Sequence, residues 1–219
     1  VRVRRLQDRF RPDRAAAAEA EAAAEEARGH GARVVTVGAD LGDPAAGPRL
    51  LDAAGDLAPV RVLVNSAAIF PDDTLENVTG AAFDHAVAVN LRAPVLLTQA
   101  FAAALPAGRE GAVVNVTDWR TQRPYREHFS YTVTKGGLDT FTRAAAEALA
   151  PHIRVNAVAL GAILPPPGRG SDYLKALARE IPAGKPGGTD PVVAAVIFLL
   201  RNPFITGEIL RVDGGAHLR

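Results

Sequence analysis

Val60-Arg61-Val62-Leu63-Val64-Asn65-Ser66-Ala67-Ala68 is the stretch that decides the fold. A compact, β-branched run stops at Asn65, and small residues follow it. Five such residues are too few for a helix and read as a short strand running into a turn. Outward from this stretch the same unit repeats. Upstream, Ala15 to Arg28 is almost entirely Ala, Glu and Arg, strong helix formers, with Gly29 and Gly31 at its end. Val34 to Val37 reads as a buried strand closing in Asp40-Leu41, and Ala45 to Leu57 as a helix. Downstream come a helix from Thr79 to Leu105, bent where Pro94 interrupts it, and a strand from Ala112 to Val116. A helix from Ser130 to Ala150, a strand from Arg154 to Ala159, a helix from Val192 to Leu200 and a strand from Glu208 to Val212 complete the series. Gly161 to Gly170, with three consecutive prolines, reads as irregular.

Strands alternating with helices predict an α/β fold, a doubly wound parallel sheet with helices on both faces. No repeat and no linker divides residues 1–219, so a single domain is expected. In such sheets ligands bind beyond the carboxyl ends of the strands. Asp40, Asn65, Asp118 and Gly161 all fall at strand ends.

The net charge of +1 gives no electrostatic reason to expect nucleic acid or an anionic membrane surface. Cysteine is absent, which excludes disulfides and thiolate metal sites, and the five histidines have no ligand-like spacing, so no metal is expected. No apolar run reaches the ~18 residues that span a bilayer, and no secretory signal is present. A cytoplasmic location is the expectation. The chain starts at Val1 and contains no methionine, so a segment upstream is expected to be missing.

The chemistry is concentrated in Tyr131 and Lys135. Four residues apart on a helix, their side chains share one face. A nearby ammonium favours the phenolate and lowers the tyrosine pKa, which suits the pair to proton transfer at neutral pH.

With these residues in place, the chain resembles the short-chain dehydrogenase/reductase family over almost its whole length. Asn65-Ser66-Ala67-Ala68 is similar to the family's Asn-Asn-Ala-Gly strand end, and Asn90 in Val-Asn-Leu matches its catalytic asparagine. Tyr131-Thr132-Val133-Thr134-Lys135 matches its Tyr-x-x-x-Lys signature. Thr206-Gly207-Glu208 and Val212-Asp213-Gly214-Gly215 match its usual ending. The pteridine reductase-like branch is the nearest resemblance. Most members carry serine thirteen residues before the tyrosine, where this chain has Asp118. A carboxylate there repels the alkoxide formed from a simple ketone, whereas a reducible C=N in a pterin benefits from an anionic or proton-relaying partner.

The resemblance implies NADPH as hydride donor, with Lys135 on the nicotinamide ribose, Tyr131 and Asp118 supplying or relaying the proton, and Asn90 positioning a water. It implies cofactor contacts at Asp40, Leu41, Asn65, Ala67, Tyr131, Lys135, Gly161 and Ile163. Substrate contacts are implied at Phe70, stacked on a flat pterin, and at Asp118, Trp119 and Tyr131, with Tyr173 or Leu174 on a lid from Pro165 to Ile181. Arg4, Arg5 and Arg14 stand where a guanidinium favours the 2′-phosphate of NADP. A homotetramer is implied, with Leu138, Phe141, Ala145 and Leu149 offered as an interface.

The pattern is broken at its start. Family members open with a strand, a glycine-rich turn and a helix that cradles the pyrophosphate. No glycine precedes Gly29, and Val1-Arg2-Val3 resembles the tail of a second strand, so the first βα unit is expected to be missing. Three readings follow: a reductase of a pterin or dihydrofolate-like substrate, a carbonyl or 3-oxoacyl-thioester reductase with an altered proton relay, and a non-catalytic subunit or truncated fragment.

Overall fold

The computed structural model describes residues 14–55, 57–165 and 171–219. Four strands form one parallel sheet in the order β1 (Val62–Asn65), β2 (Gly111–Asp118), β3 (Ile153–Leu160), β4 (Ile209–Val212). The register aligns Asn65 with Asn115, Asp118 with Leu160, and Leu160 with Val212. The carboxyl ends of the strands therefore form one edge carrying Asn65, Asp118 and Gly161.

Among the described residues, seven α-helices connect and cover the strands: α1 (Arg14–Gly29), α2 (Ala46–Gly55), α3 (Gly80–Val87), α4 (Ala93–Ala104), α5 (Phe129–Leu149), α6 (Ser171–Ala178) and α7 (Thr189–Arg201). Alternation of side chains along the strands divides the core in two. Val113 and Val155 point to one face, where they pack with Phe101 of α4 and with Ala145 and Ala146 of α5. Their neighbours Val114 and Val158 point to the other, against Ala195 and Leu199 of α7. Helices on both faces of a parallel sheet make this the Rossmann-like α/β arrangement.

Four expectations need correction. Val34 to Val37 is not a strand: residues 32–40 pair with no strand among the described residues. An apolar β-branched run satisfies the sequence pattern, but a strand exists only where a neighbouring backbone completes its ladder. The helix expected from Thr79 to Leu105 runs as Gly80–Ala104, and its irregularity is a π turn over Ala88–Arg92, just ahead of Pro94 in the first turn of α4. With the π turn included, Gly80–Ala104 is one rod of 25 residues with hydropathy 1.3, long and apolar enough by composition to cross a bilayer, contrary to the reading of the apolar runs. Half of its window is buried inside the fold, and it packs on α2, α5 and the sheet, as a core helix does. Finally, α6 was not anticipated, because the prolines before it dominated the reading of that segment.

The residues offered as an interface on α5 have another task. Leu138 and Ala145 are buried, and Phe141 and Leu149 pack against the Val113–Val155 core. That apolar stripe covers the protein's own sheet. Val1-Arg2-Val3, Arg4 and Arg5 lie outside the described residues, as does the side chain of Arg14.

Candidate active site

Tyr131 and Lys135 occupy the first turns of α5, facing the end of β2. The Tyr131 hydroxyl donates to Asp118 Oδ2 at 3.1 Å. Lys135 is 2 % exposed, and its Nζ donates to the carbonyl of Val116 at 2.7 Å and lies 5.7 Å from the centre of the Tyr131 ring. A buried ammonium is costly without acceptors, so the β2 carbonyl both stabilises and aims it. Asp118 is the last residue of β2, and its Oδ1 accepts from the Arg120 N–H at 2.8 Å, capping the turn Trp119–Thr121. Burial pushes the Asp118 carboxyl above its ordinary range, against the lowering effect of the Arg120 N–H, the Tyr131 hydroxyl, Lys135 and the Arg120 charge.

Asn90 sits in the π turn and is completely buried. Its Oδ1 accepts from the Ile69 N–H at 2.8 Å, while Nδ2 donates to the Ile69 carbonyl at 3.0 Å and to Thr134 Oγ1 at 3.2 Å. Both amide hydrogens are therefore committed to protein. The side chain ties the loop after β1 to α5.

Asn65 likewise turns inward. Its Nδ2 donates to Asn115 Oδ1 at 2.8 Å, and Asn115 Nδ2 passes the chain on to Thr142 Oγ1 of α5 at 2.9 Å. Ala67 is half-buried beside it. Asp40 closes a tight turn, accepting from the Gly42 N–H at 2.7 Å, and Leu41 packs on Ile69, Ala86 and Val89. At Gly161 a Cβ would stand 2.6 Å from the Cα of Asp213, so only glycine lets these two strand ends approach. Ile163 packs over Gly187.

Several aromatic rings gather around Tyr131. Phe70 stacks on His128, with centroids 3.7 Å apart and planes 23° apart, and meets Tyr131 edge-on at 4.6 Å. One face of Phe70 is thus already taken by protein. His128 lies 5.8 Å from Tyr125, and the Arg120 guanidinium lies over the rings of Tyr125 (4.3 Å) and Trp119 (4.5 Å). Burial, and then the charge of Asp118, raise the Tyr125 pKa, with Tyr173 of α6 adding to the effect. Tyr173 therefore stands near these rings; for Leu174 the structure gives no contact with them.

Two positioning residues escaped the sequence reading. His128 is the N-cap of α5 in the left-handed region (φ 54°), the one non-glycine residue there among those described, and its Nδ1 lies 2.7 Å from the Pro71 carbonyl. A left-handed histidine makes no side-chain cap, and Asp73 supplies one from the loop after β1. Asp73 accepts from the Ser130 N–H at 3.0 Å and from Ser130 Oγ at 2.5 Å, while its carbonyl accepts from the Phe129 N–H at 3.1 Å. A carboxylate at a helix N-terminus is favourable to both the open N–H groups and the macrodipole. The available signal was an unused acidic pair, Asp72-Asp73, just past the turn that carries Phe70.

Comparison with known proteins agrees with this geometry. A family model described as Enoyl-(Acyl carrier protein) reductase matches residues 12–217. The L-xylulose reductase of Homo sapiens is 42% identical over 184 residues, 80% of this chain and 74% of the relative. Among solved structures, the FolM alternative dihydrofolate reductase 1 of Brucella canis, complexed with NADP, superposes with a TM-score of 0.85 at 35% identity, covering 93% of this chain and 81% of the other. A short chain dehydrogenase from Burkholderia cenocepacia, in complex with NADP, gives 0.82 at 30% identity, covering 91% and 83%. The chain belongs to the short-chain dehydrogenase/reductase family.

Proposed function

We propose that this chain is an NADPH-dependent reductase in which Tyr131 donates the proton. The observation that carries this reading is the Tyr131 hydroxyl 3.1 Å from Asp118, with the ammonium of Lys135 buried on the same helix face. The chemistry of the donor set fits a nicotinamide ribose: one fixed cation and one phenol at the carboxyl edge of the sheet, beside the Gly161 approach. Lys135, Tyr131 and the segment Gly161–Ile163 would hold the cofactor, and NADP in the two structural relatives supports NADPH over NADH. When bound, the reduced nicotinamide supplies the hydride. Val116 fixes Lys135, Lys135 favours the ionised phenol that is left after proton transfer, and Asp118 orients the hydroxyl.

For the acceptor we favour a carbonyl compound over the pterin first expected from Asp118. The support is the L-xylulose reductase relative, a better match in sequence than the dihydrofolate reductase structure. The objection drawn from the sequence also weakens. Burial raises the Asp118 pKa, which lessens the charge that would repel a developing alkoxide. A pterin-like C=N remains the second reading, supported by Asp118 itself, by Phe70 at the site and by the Brucella canis relative over 93% of the chain. Competing assays decide between them: kcat/KM with NADPH and either L-xylulose or dihydrobiopterin. Turnover of the ketose alone supports the first reading, and turnover of dihydrobiopterin alone overturns it. The expected homotetramer and cytoplasmic location belong to the same proposal, and sedimentation of the purified chain and fractionation of the source cells test them.

A further inference from the structure

We propose that Arg120 is an anion hook at the edge of the substrate site, and that the preferred substrate carries a carboxylate at some distance from its reducible bond. The proposal rests on the reductase reading for the word substrate, but the hook itself is argued from this chain's own geometry.

The Arg120 guanidinium lies over two aromatic rings, with Cζ 4.5 Å from the centre of Trp119 and 4.3 Å from the centre of Tyr125. Cation–π contacts of this kind anchor the guanidinium without a conventional hydrogen-bond acceptor. Its N–H groups lie in the plane, at the edges, and stay available for hydrogen bonds. Among the described residues no carboxylate or carbonyl oxygen accepts from that guanidinium; only the backbone N–H of Arg120 is spent, on Asp118 Oδ1. A planar fork fixed by two rings, with its edges unspent, is pre-organised for bidentate recognition of a carboxylate.

The position of the fork ties it to the reaction. From Tyr131 the rings run through Phe70 (4.6 Å), His128 (3.7 Å) and Tyr125 (5.8 Å) to Arg120 (4.3 Å). A ligand reduced at Tyr131 and reaching Tyr125 meets the guanidinium. The influence of the Asp118 charge on Tyr125, and of the Arg120 charge on Asp118, places the hook within electrostatic reach of the acid group. A neutral ketose leaves the fork unused. An oxo acid in the carbonyl class, or dihydrofolate with its glutamate in the pterin class, engages it.

Trp119 is the only tryptophan in the chain, so its fluorescence reports on the surroundings of Arg120 without cofactor or turnover. The wild-type chain is titrated with glutarate and with the neutral diamide glutaramide, and the titration is repeated with Arg120→Gln and Arg120→Lys. The proposal expects a saturable response to glutarate, about tenfold tighter than any response to the diamide. Arg120→Gln should lose that preference, and Arg120→Lys should recover part of it as a point charge without the fork. Equal binding of the two probes, or glutarate binding unchanged in Arg120→Gln, overturns the hook. A kinetic arm measures kcat/KM for dihydrofolate relative to dihydrobiopterin, a ratio expected to fall about tenfold in Arg120→Gln. An unmoved ratio contradicts the proposal. Absence of turnover with L-xylulose as well as with both pterins defeats the reductase reading, and the fluorescence titration then decides the hook alone.

Discussion

Asp73 and Ser130 stand fifty-seven positions apart in sequence and share two hydrogen bonds, from the Ser130 N–H at 3.0 Å and from its hydroxyl at 2.5 Å. The residue after Ser130 is the proposed proton donor. Through this pair, the loop that carries Phe70 and the helix that carries Tyr131 are held as one body. Asp73→Ala removes the cap and leaves the buried Ser130 hydroxyl without its acceptor, which should cost about 1–3 kcal/mol in urea unfolding. Asp73→Asn, which keeps one acceptor oxygen, should lose less. No loss in either variant would contradict the cap, and equal losses in both would place its contribution in the carboxylate charge.

Asn90 is expected to matter first for stability. Asn90→Ala strands the N–H and carbonyl of Ile69 inside the fold, and each unsatisfied group costs about 1–3 kcal/mol. Thermal unfolding measures the loss, and amide exchange at Ile69 should speed up along with it. A variant as stable as wild type would contradict the clamp.

Gly161→Ala tests the contact between the ends of β3 and β4. The added methyl meets the backbone of Asp213, not a side chain that can swing away. Overpacking of this kind typically costs about 1–3 kcal/mol. The same change at Gly55, where no heavy atom lies within 4 Å of a Cβ, should leave stability nearly unaltered.

Asp118 predicts a pH dependence with a definite sign. Its folded pKa is raised, chiefly by burial, so the folded state binds more protons than the unfolded state between about pH 4 and the raised value. The contribution is complete below the unfolded pKa and is lost as pH rises through the folded one. Wild type should therefore lose stability relative to Asp118→Asn as pH climbs out of the acid range, measured by urea midpoints across a pH series. A difference that grows in favour of wild type with rising pH would reverse the assignment.

Most of the fold was legible because it rests on local pattern. The apolar runs at Val60, Ala112, Arg154 and Glu208 all lie within strands or overlap them, and the spacing of Tyr131 and Lys135 put both on one helix face. What was illegible depends on distant neighbours. Val34 to Val37 has strand chemistry but no partner among the described residues. Leu138 and Phe141 have an apolar stripe suited equally to a sheet or to another subunit, and periodicity cannot tell which it covers. Asp73 acts across fifty-seven residues, so no local motif announces it. Asn90 and Asn65 were found by motif, yet their amides face protein partners that only the folded chain supplies.

The central claim is that Tyr131 delivers the proton in an NADPH-dependent reduction, and Tyr131→Phe tests it most directly. NADPH consumption would be followed for wild type and for the variant with L-xylulose and with dihydrobiopterin, alongside the thermal unfolding of each protein. The account predicts substrate-dependent consumption by wild type and a fall of at least about a hundredfold in kcat in a variant that still folds. Consumption by Tyr131→Phe at close to the wild-type rate would contradict it.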